Sequence, residues 1–180
     1  MIIERDLPIK MDDGVTLRVD VYRPGAETAY QSIVRIMDEV PGVLGVKQSA
    51  GDMKLFADLL RRAKPENLIF SAVDALLYPS YQLGAPGAIA AILTAAPGPS
   101  VRLWNAVIEH DWDTARDLHE RLMPLWDAIG VDNMPSLCKY AQQLQGVKAG
   151  YARRPTSPAT EEQKLQVRAA LANLGLIDGK

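Results

Sequence analysis

The chain has 180 residues, 48% of them hydrophobic and 23% charged, with 20 Lys plus Arg against 22 Asp plus Glu and a formal net charge of −2. That balance suits a globular chain of one domain or slightly more, and excludes a dedicated nucleic-acid binder, whose phosphate contacts need a clustered positive excess that the isolated pairs Arg61-Arg62 and Arg153-Arg154 do not supply. Cys138 is the only cysteine, which excludes an intramolecular disulfide and a cysteine-built zinc site and fits a reducing, cytoplasmic setting.

The opening Met1-Ile2-Ile3-Glu4-Arg5-Asp6 puts acidic charge where a secretory signal carries a basic segment followed by an apolar one, so no targeting peptide is expected. From residue 2 to 22 apolar and polar residues tend to alternate. Asp12-Asp13-Gly14 separates Leu7-Pro8-Ile9-Lys10-Met11 from Val15-Thr16-Leu17-Arg18-Val19-Asp20-Val21, and the Asp-Gly step predicts a β-hairpin over residues 1–25 that Pro24-Gly25 ends. Residues 26–31 read as a connector without clear structure.

Residues 32–110 alternate helical and strand-like pieces. The spacing over 32–40 predicts a helix stopped by Pro41-Gly42, and Val43-Leu44-Gly45-Val46-Lys47 a short strand. Asp52 is placed to cap a helix whose apolar face is Met53, Phe56, Leu59, Leu60 and Ala63, and Leu68-Ile69-Phe70-Ser71 reads as a second strand. A helix over 74–83 is expected to stop at Gly84, and Ala88-Ile89-Ala90-Ala91-Ile92-Leu93 to form a third strand. Apolar strands between helices indicate a parallel sheet covered on both faces. Residues 75–101 carry no charge, but Pro79, Pro86, Pro97 and Pro99 with Gly84, Gly87 and Gly98 cut them into short pieces, so no membrane span is expected.

Residues from 100 onward read as helical, with 111–180 forming a C-terminal helical segment. Asp111 is placed to cap a helix carrying Ala115, Leu118, Leu122, Leu125 and Ile129; Pro135 fits the first turn of the next, which stops at Gly146; Thr160 and Gln163 form a capping box for the last. Trp104, Trp112 and Trp126 all fall here and read first as packing or subunit-contact residues.

Few residues present themselves for chemistry. No Gly-rich phosphate fingerprint occurs, since Gly84-Ala85-Pro86-Gly87 precedes an expected strand rather than a helix. His110 and His119 fall on or beside exposed helical positions without metal-ligand spacing, Asp74 and Asp132 lack a carboxylate partner nearby in sequence, and Cys138 reads as a buried, inert thiol. Lys47 is open to two readings: a lysine leaving the sheet for solvent, or an enclosed amine at the C-terminal end of a parallel strand, where α/β folds place their chemistry and where lost hydration would make it a nucleophile toward carbonyl carbon.

Gly45-Val46-Lys47-Gln48-Ser49-Ala50-Gly51-Asp52, Phe70-Ser71-Ala72-Val73-Asp74-Ala75, Leu83-Gly84-Ala85-Pro86-Gly87-Ala88-Ile89, His119-Glu120-Arg121-Leu122-Met123-Pro124-Leu125 and the closing helix over 167–176 resemble the dihydrodipicolinate synthase and N-acetylneuraminate lyase family across residues 31–178. The resemblance implies an α/β fold, part of a (β/α)8 barrel comprising strands six to eight with their helices, followed by C-terminal helices. It also implies a Schiff-base lyase or aldolase acting on pyruvate or a related 2-oxo acid without a cofactor. Lys47 matches the family's Schiff-base lysine, Ile89 the apolar residue of the eighth strand near it, and Ala72 a position often glycine beside the bound acid; the usual Gly-Asp-Asp is Ala72-Val73-Asp74.

The family's first five strands have no counterpart in this reading, nor do its carboxylate-binding Gly-Thr-Thr-Gly-Glu motif, its proton-relaying tyrosine and its second-substrate arginine. Residues 7–24 instead resemble the opening hairpin of cocaine-esterase-type α/β-hydrolases, without a Gly-x-Ser-x-Gly elbow anywhere in the chain. Together the two resemblances imply a fusion or deletion product joined near residues 25–31. Three barrel strands alone would leave unpaired edges, which predicts self-association into a homo-oligomer, a partner supplying the missing barrel half, or poor solubility. A non-catalytic assembly fragment is the competing function, and a remnant hydrolase the third.

Overall fold

The computed structural model of the chain describes residues 2–10, 16–23 and 29–178. It divides into two compact units, one of Met1–Val46 with Asp52–Leu68 and one of Lys47–Gly51 with Ile69–Lys180. The strands β1 (Ile2–Lys10) and β2 (Thr16–Arg23) of the first unit pair antiparallel, from Ile2 opposite Arg23 to Lys10 opposite Thr16, with a register shift between Glu4 and Leu7. The Asp12-Asp13-Gly14 turn expected between them lies outside the described residues, as do Pro24-Gly25 and residues 26–28 of the connector.

Helix α1 (Ala29–Glu39) begins inside the stretch read as connector and packs against α2 (Met53–Arg62). Its Asp38 pairs with Lys64 at 2.9 Å, and the Arg62 guanidinium lies 4.6 Å from the centre of the Tyr30 ring. Asp52 caps α2 as its position predicts, accepting from the Leu55 amide at 3.0 Å. Two short strands, β3 (Gly45–Gln48) and β4 (Leu68–Ser71), each cut by the division between units, pair with one another.

In the second unit a 3-10 turn, Asp74–Leu76, leads into α3 (Leu77–Gln82), which ends at Gly84 in the left-handed conformation at φ +97°. The expected third strand shrinks to one parallel bridge, Ala88 beside Ser71, and the same apolar run turns into a one-turn helix, α4 (Ile92–Ala95). A short apolar run has no period that separates a strand from a buried helical turn. The arbiter is a distant carboxylate: Asp74 Oδ1 accepts from the Ile92 amide at 2.6 Å and captures the start of the turn. Its far end is held from α7 (Met134–Leu144) and the residue that caps it: the Gln142 and Gln145 side chains donate to the Thr94 and Ala95 carbonyls at 3.2 and 2.7 Å.

The rest of the unit is α5 (Pro97–Ile108), α6 (Trp112–Ile129), α7 and α8 (Glu161–Asn173). α6 packs on α5 and on α8, and α7 on α8, with Leu103, Leu118, Leu125, Ile129, Leu137, Val167 and Leu171 buried between them. Trp104 packs edge-on against Tyr81 at 5.0 Å between ring centres, whereas Trp112 is exposed. Within the described residues no helix is long and apolar enough to cross a membrane.

The capping box of α8 forms as read: Thr160 accepts from the Gln163 amide at 3.2 Å and Gln163 from the Thr160 amide at 2.9 Å. Gln163 also exchanges two hydrogen bonds of 3.0 Å with Asn133, tying the starts of α7 and α8 together. Replacing Thr160 with alanine orphans the Gln163 amide while leaving the core untouched, and is expected to cost about 1 kcal/mol in a urea denaturation series.

Candidate active site

The second unit gathers, at the ends of β3 and β4, most of the residues that the sequence singles out. Lys47 lies near the end of β3 with its side chain exposed, and its ammonium donates to Ser49 Oγ at 3.2 Å. The enclosure expected of a nucleophilic lysine is therefore not found around this amine. Beyond it, Gln48 is buried and folds back so that its Oε1 accepts from the Ala50 amide at 2.5 Å, fixing the chain as it leaves the strand.

At the end of β4, Ser71 is buried and works in three directions. Its amide donates to the Gly87 carbonyl at 3.1 Å, its carbonyl accepts from the Ile89 amide at 2.8 Å, and its hydroxyl donates to Ser80 Oγ at 2.9 Å. The two backbone bonds bring Ile89 alongside the Ser71-Ala72 step. Ala72 is half-buried, and Ile89 is 48% exposed rather than packed away.

Two residues later Asp74 is buried at 9% exposure, on the turn that β4 runs into. Burial raises its carboxyl above the usual range, while hydrogen bonds from the backbone of Ile92, of Asp74 itself and of Ala91 oppose the rise. The positive charge of Lys47 also acts in this direction, so Lys47 and Asp74 lie within electrostatic reach of one another. Sequence reasoning weighed Asp74 but gave it no partner, because the Ile92 amide that it holds lies 18 positions away and no local pattern announces it.

The remaining candidates fall away from this cluster or are chemically quiet. Tyr81 is buried, which pushes its hydroxyl up to about 12. His110 is exposed at φ 60°, as read, but His119 is half-buried with its ring tilted against Tyr78 at 5.5 Å; burial lowers its pKa, a correction to the expected solvated position. Cys138 is buried and its thiol is pushed up by that burial. Among the described residues no group of three or more His, Cys, Asp or Glu side chains is placed to hold a metal.

With this geometry in place, the profile of the dihydrodipicolinate synthetase family matches residues 19–174, starting within β2 rather than near residue 31. The chain is 30% identical over 166 residues to a 4-hydroxy-tetrahydrodipicolinate synthase from Archaeoglobus fulgidus, covering 91% of this chain and 57% of the relative. A protein of the same name from Ralstonia nicotianae is 32% identical over 171 residues, with 93% and 58% covered. Among solved structures, a putative dihydrodipicolinate synthetase from Pseudomonas aeruginosa superimposes with a TM-score of 0.75 at 27% identity, over 82% of this chain and 51% of the other. A dihydrodipicolinate synthase from Cyanidioschyzon merolae with lysine bound gives 0.75 at 25% identity, over 82% and 50%. The chain thus spans about half the length of the curated relatives and solved structures it matches.

Proposed function

Because the chain belongs to the dihydrodipicolinate synthetase family, we propose that it carries the imine-forming part of a lyase or aldolase that uses pyruvate or a related 2-oxo acid. The observation that carries this reading is Lys47 itself, a lysine at the end of β3 inside the matched span, with its amine open to an incoming ketone. The unprotonated amine adds to C2 of the 2-oxo acid, water leaves, and a protonated imine forms. The positive nitrogen then draws in the electron pair left when C3 gives up a proton, or when a carbon substituent at C3 departs, and an enamine results. In the synthetic direction the enamine carbon adds to an aldehyde, and hydrolysis of the new imine returns the free lysine. Ala72 and Ile89, side by side at Ser71, would flank the bound acid, and no cofactor takes part in these steps.

Borohydride reduction in the presence of pyruvate tests the proposal. A reduced pyruvyl adduct is expected at Lys47 by peptide mass mapping, and its loss in Lys47→Ala. A folded wild-type protein that gives no adduct at that residue sinks the claim of imine chemistry.

A second reading, a non-catalytic fragment that assembles with copies of itself or with related subunits, draws on the open setting of Lys47 and on coverage of about half of each relative. On that reading Lys47→Ala leaves association in sedimentation experiments unchanged, and the wild type fails to trap pyruvate.

A further inference from the structure

We propose that the helical part of the second unit holds an additional ligand site, sharing no residue with the Lys47 cluster, whose ligand is a compact aromatic carboxylate. The site is a cavity of about 260 Å³ between α7, the start of α8 and the segment joining them. Its size, just below the roughly 300–1,000 Å³ of drug-sized sites, limits the ligand to about one ring with a short polar group.

The cavity is built rather than incidental. Three side chains of α7 hold the joining segment in place: Ser136 Oγ donates to the Ser157 carbonyl at 2.7 Å, Lys139 Nζ to the Ala149 carbonyl at 2.6 Å, and Gln143 Nε2 to the Gly150 carbonyl at 2.9 Å. A wall fixed in this way costs little ordering when a ligand enters.

Its chemistry selects the ligand class. Two ammonium groups, Lys139 and Lys164, line the cavity, and no carboxylate does. Lys139 gives one hydrogen to Ala149, and an ammonium has three to give. Lys164 pairs with Glu161 at 2.7 Å, but that carboxylate is 87% exposed, so an exposed ion pair of small net worth is all that an entering anion displaces. Tyr140 supports the Lys164 ammonium at 5.9 Å from its ring centre and offers an aromatic wall, and Tyr151, 93% exposed, stands at the opening with its ring free to cover another.

A phosphate is less well matched. No arginine lines the cavity, and at the start of α8 the Thr160 and Gln163 amides are taken by the capping box while Glu161 and Glu162 place two carboxylates on the first turn. Two point charges beside apolar ring faces fit a singly charged carboxylate on an aromatic body.

Benzoate and its neutral isostere benzamide are the probes, followed by calorimetry and ligand-detected NMR on the whole chain. Benzoate is expected to bind at least about tenfold more tightly than benzamide, the worth of one charge-assisted hydrogen bond. Lys164→Gln should reduce that preference, and Tyr151→Ala should weaken both probes alike; circular dichroism checks that each variant is folded. Excess pyruvate should displace neither probe, which keeps this outcome separate from the fate of Lys47. Absence of benzoate binding, equal affinity for the two probes, benzoate affinity unaltered in Lys164→Gln, or displacement by pyruvate would each overturn the proposal.

Discussion

Asp74→Ala is expected to lose about 2–3 kcal/mol of folding stability, the cost of leaving buried backbone amides without an acceptor. The carboxylate accepts from the Ile92 amide at 2.6 Å and also engages the Ala91 backbone. Asp74→Asn keeps one oxygen for the amides and should cost less. The pair of variants also separates charge from hydrogen bonding. Burial raises the folded-state pKa of Asp74 above its unfolded value of 3.8, so between the two values the folded chain holds the proton more tightly. That contribution is complete below 3.8 and is lost as pH rises through the folded-state pKa. Wild type should therefore lose stability relative to Asp74→Asn between acid and neutral pH, whatever the other carboxylates do to both. Denaturation midpoints that coincide for wild type and Asp74→Ala would show that the carboxylate holds nothing in place.

Gly45→Ala should be comparably damaging, for a reason of pure space. A Cβ at residue 45 would overlap the Leu68 carbonyl oxygen and lie 2.8 Å from the Leu68 Cβ, both on fixed parts of the neighbouring strand. The neighbour here is backbone rather than the end of a flexible side chain, so β3 must shift away from β4. Overpacking of this kind costs about 3 kcal/mol. Because Lys47 stands two residues along the same short strand, pyruvate trapping should fall together with the thermal midpoint. Retention of both in the variant would mean that the strands separate here at little cost.

The parts of the fold legible from sequence were those decided within a few residues. Asp52, Asp111 and Thr160 each cap the helix their position announces, because a cap needs only a side-chain oxygen and an amide two or three residues on. Gly84 stops α3 for an equally local reason, a positive φ that a side chain resists. Residues 88–93 failed as a strand because what decides their shape is Asp74, far away in sequence, and His119 escaped its solvated reading because Tyr78 covers one face of it. The candidate site divides in the same way. Lys47 and Ala72 could be picked out by their motif, whereas the open setting of the lysine, the role of Ser71 as the hinge that sets Ile89 beside Ala72, and the burial of Asp74 depend on contacts across the chain.

The one-turn helix α4 has a bearing on motion as well as on form. Four residues are too few to hold a helical turn by their own hydrogen bonding. This turn persists because Asp74 grips one end and Gln142 and Gln145 the other. Its opening is then not an event of its own: solvent reaches the Ile92 amide when the Asp74 grip releases, and the carbonyl end frays when α7 moves. Exchange of amide protons over Ile92–Ala95 thus reads the coupling between the 3-10 turn that carries Asp74 and the helix that walls the second cavity.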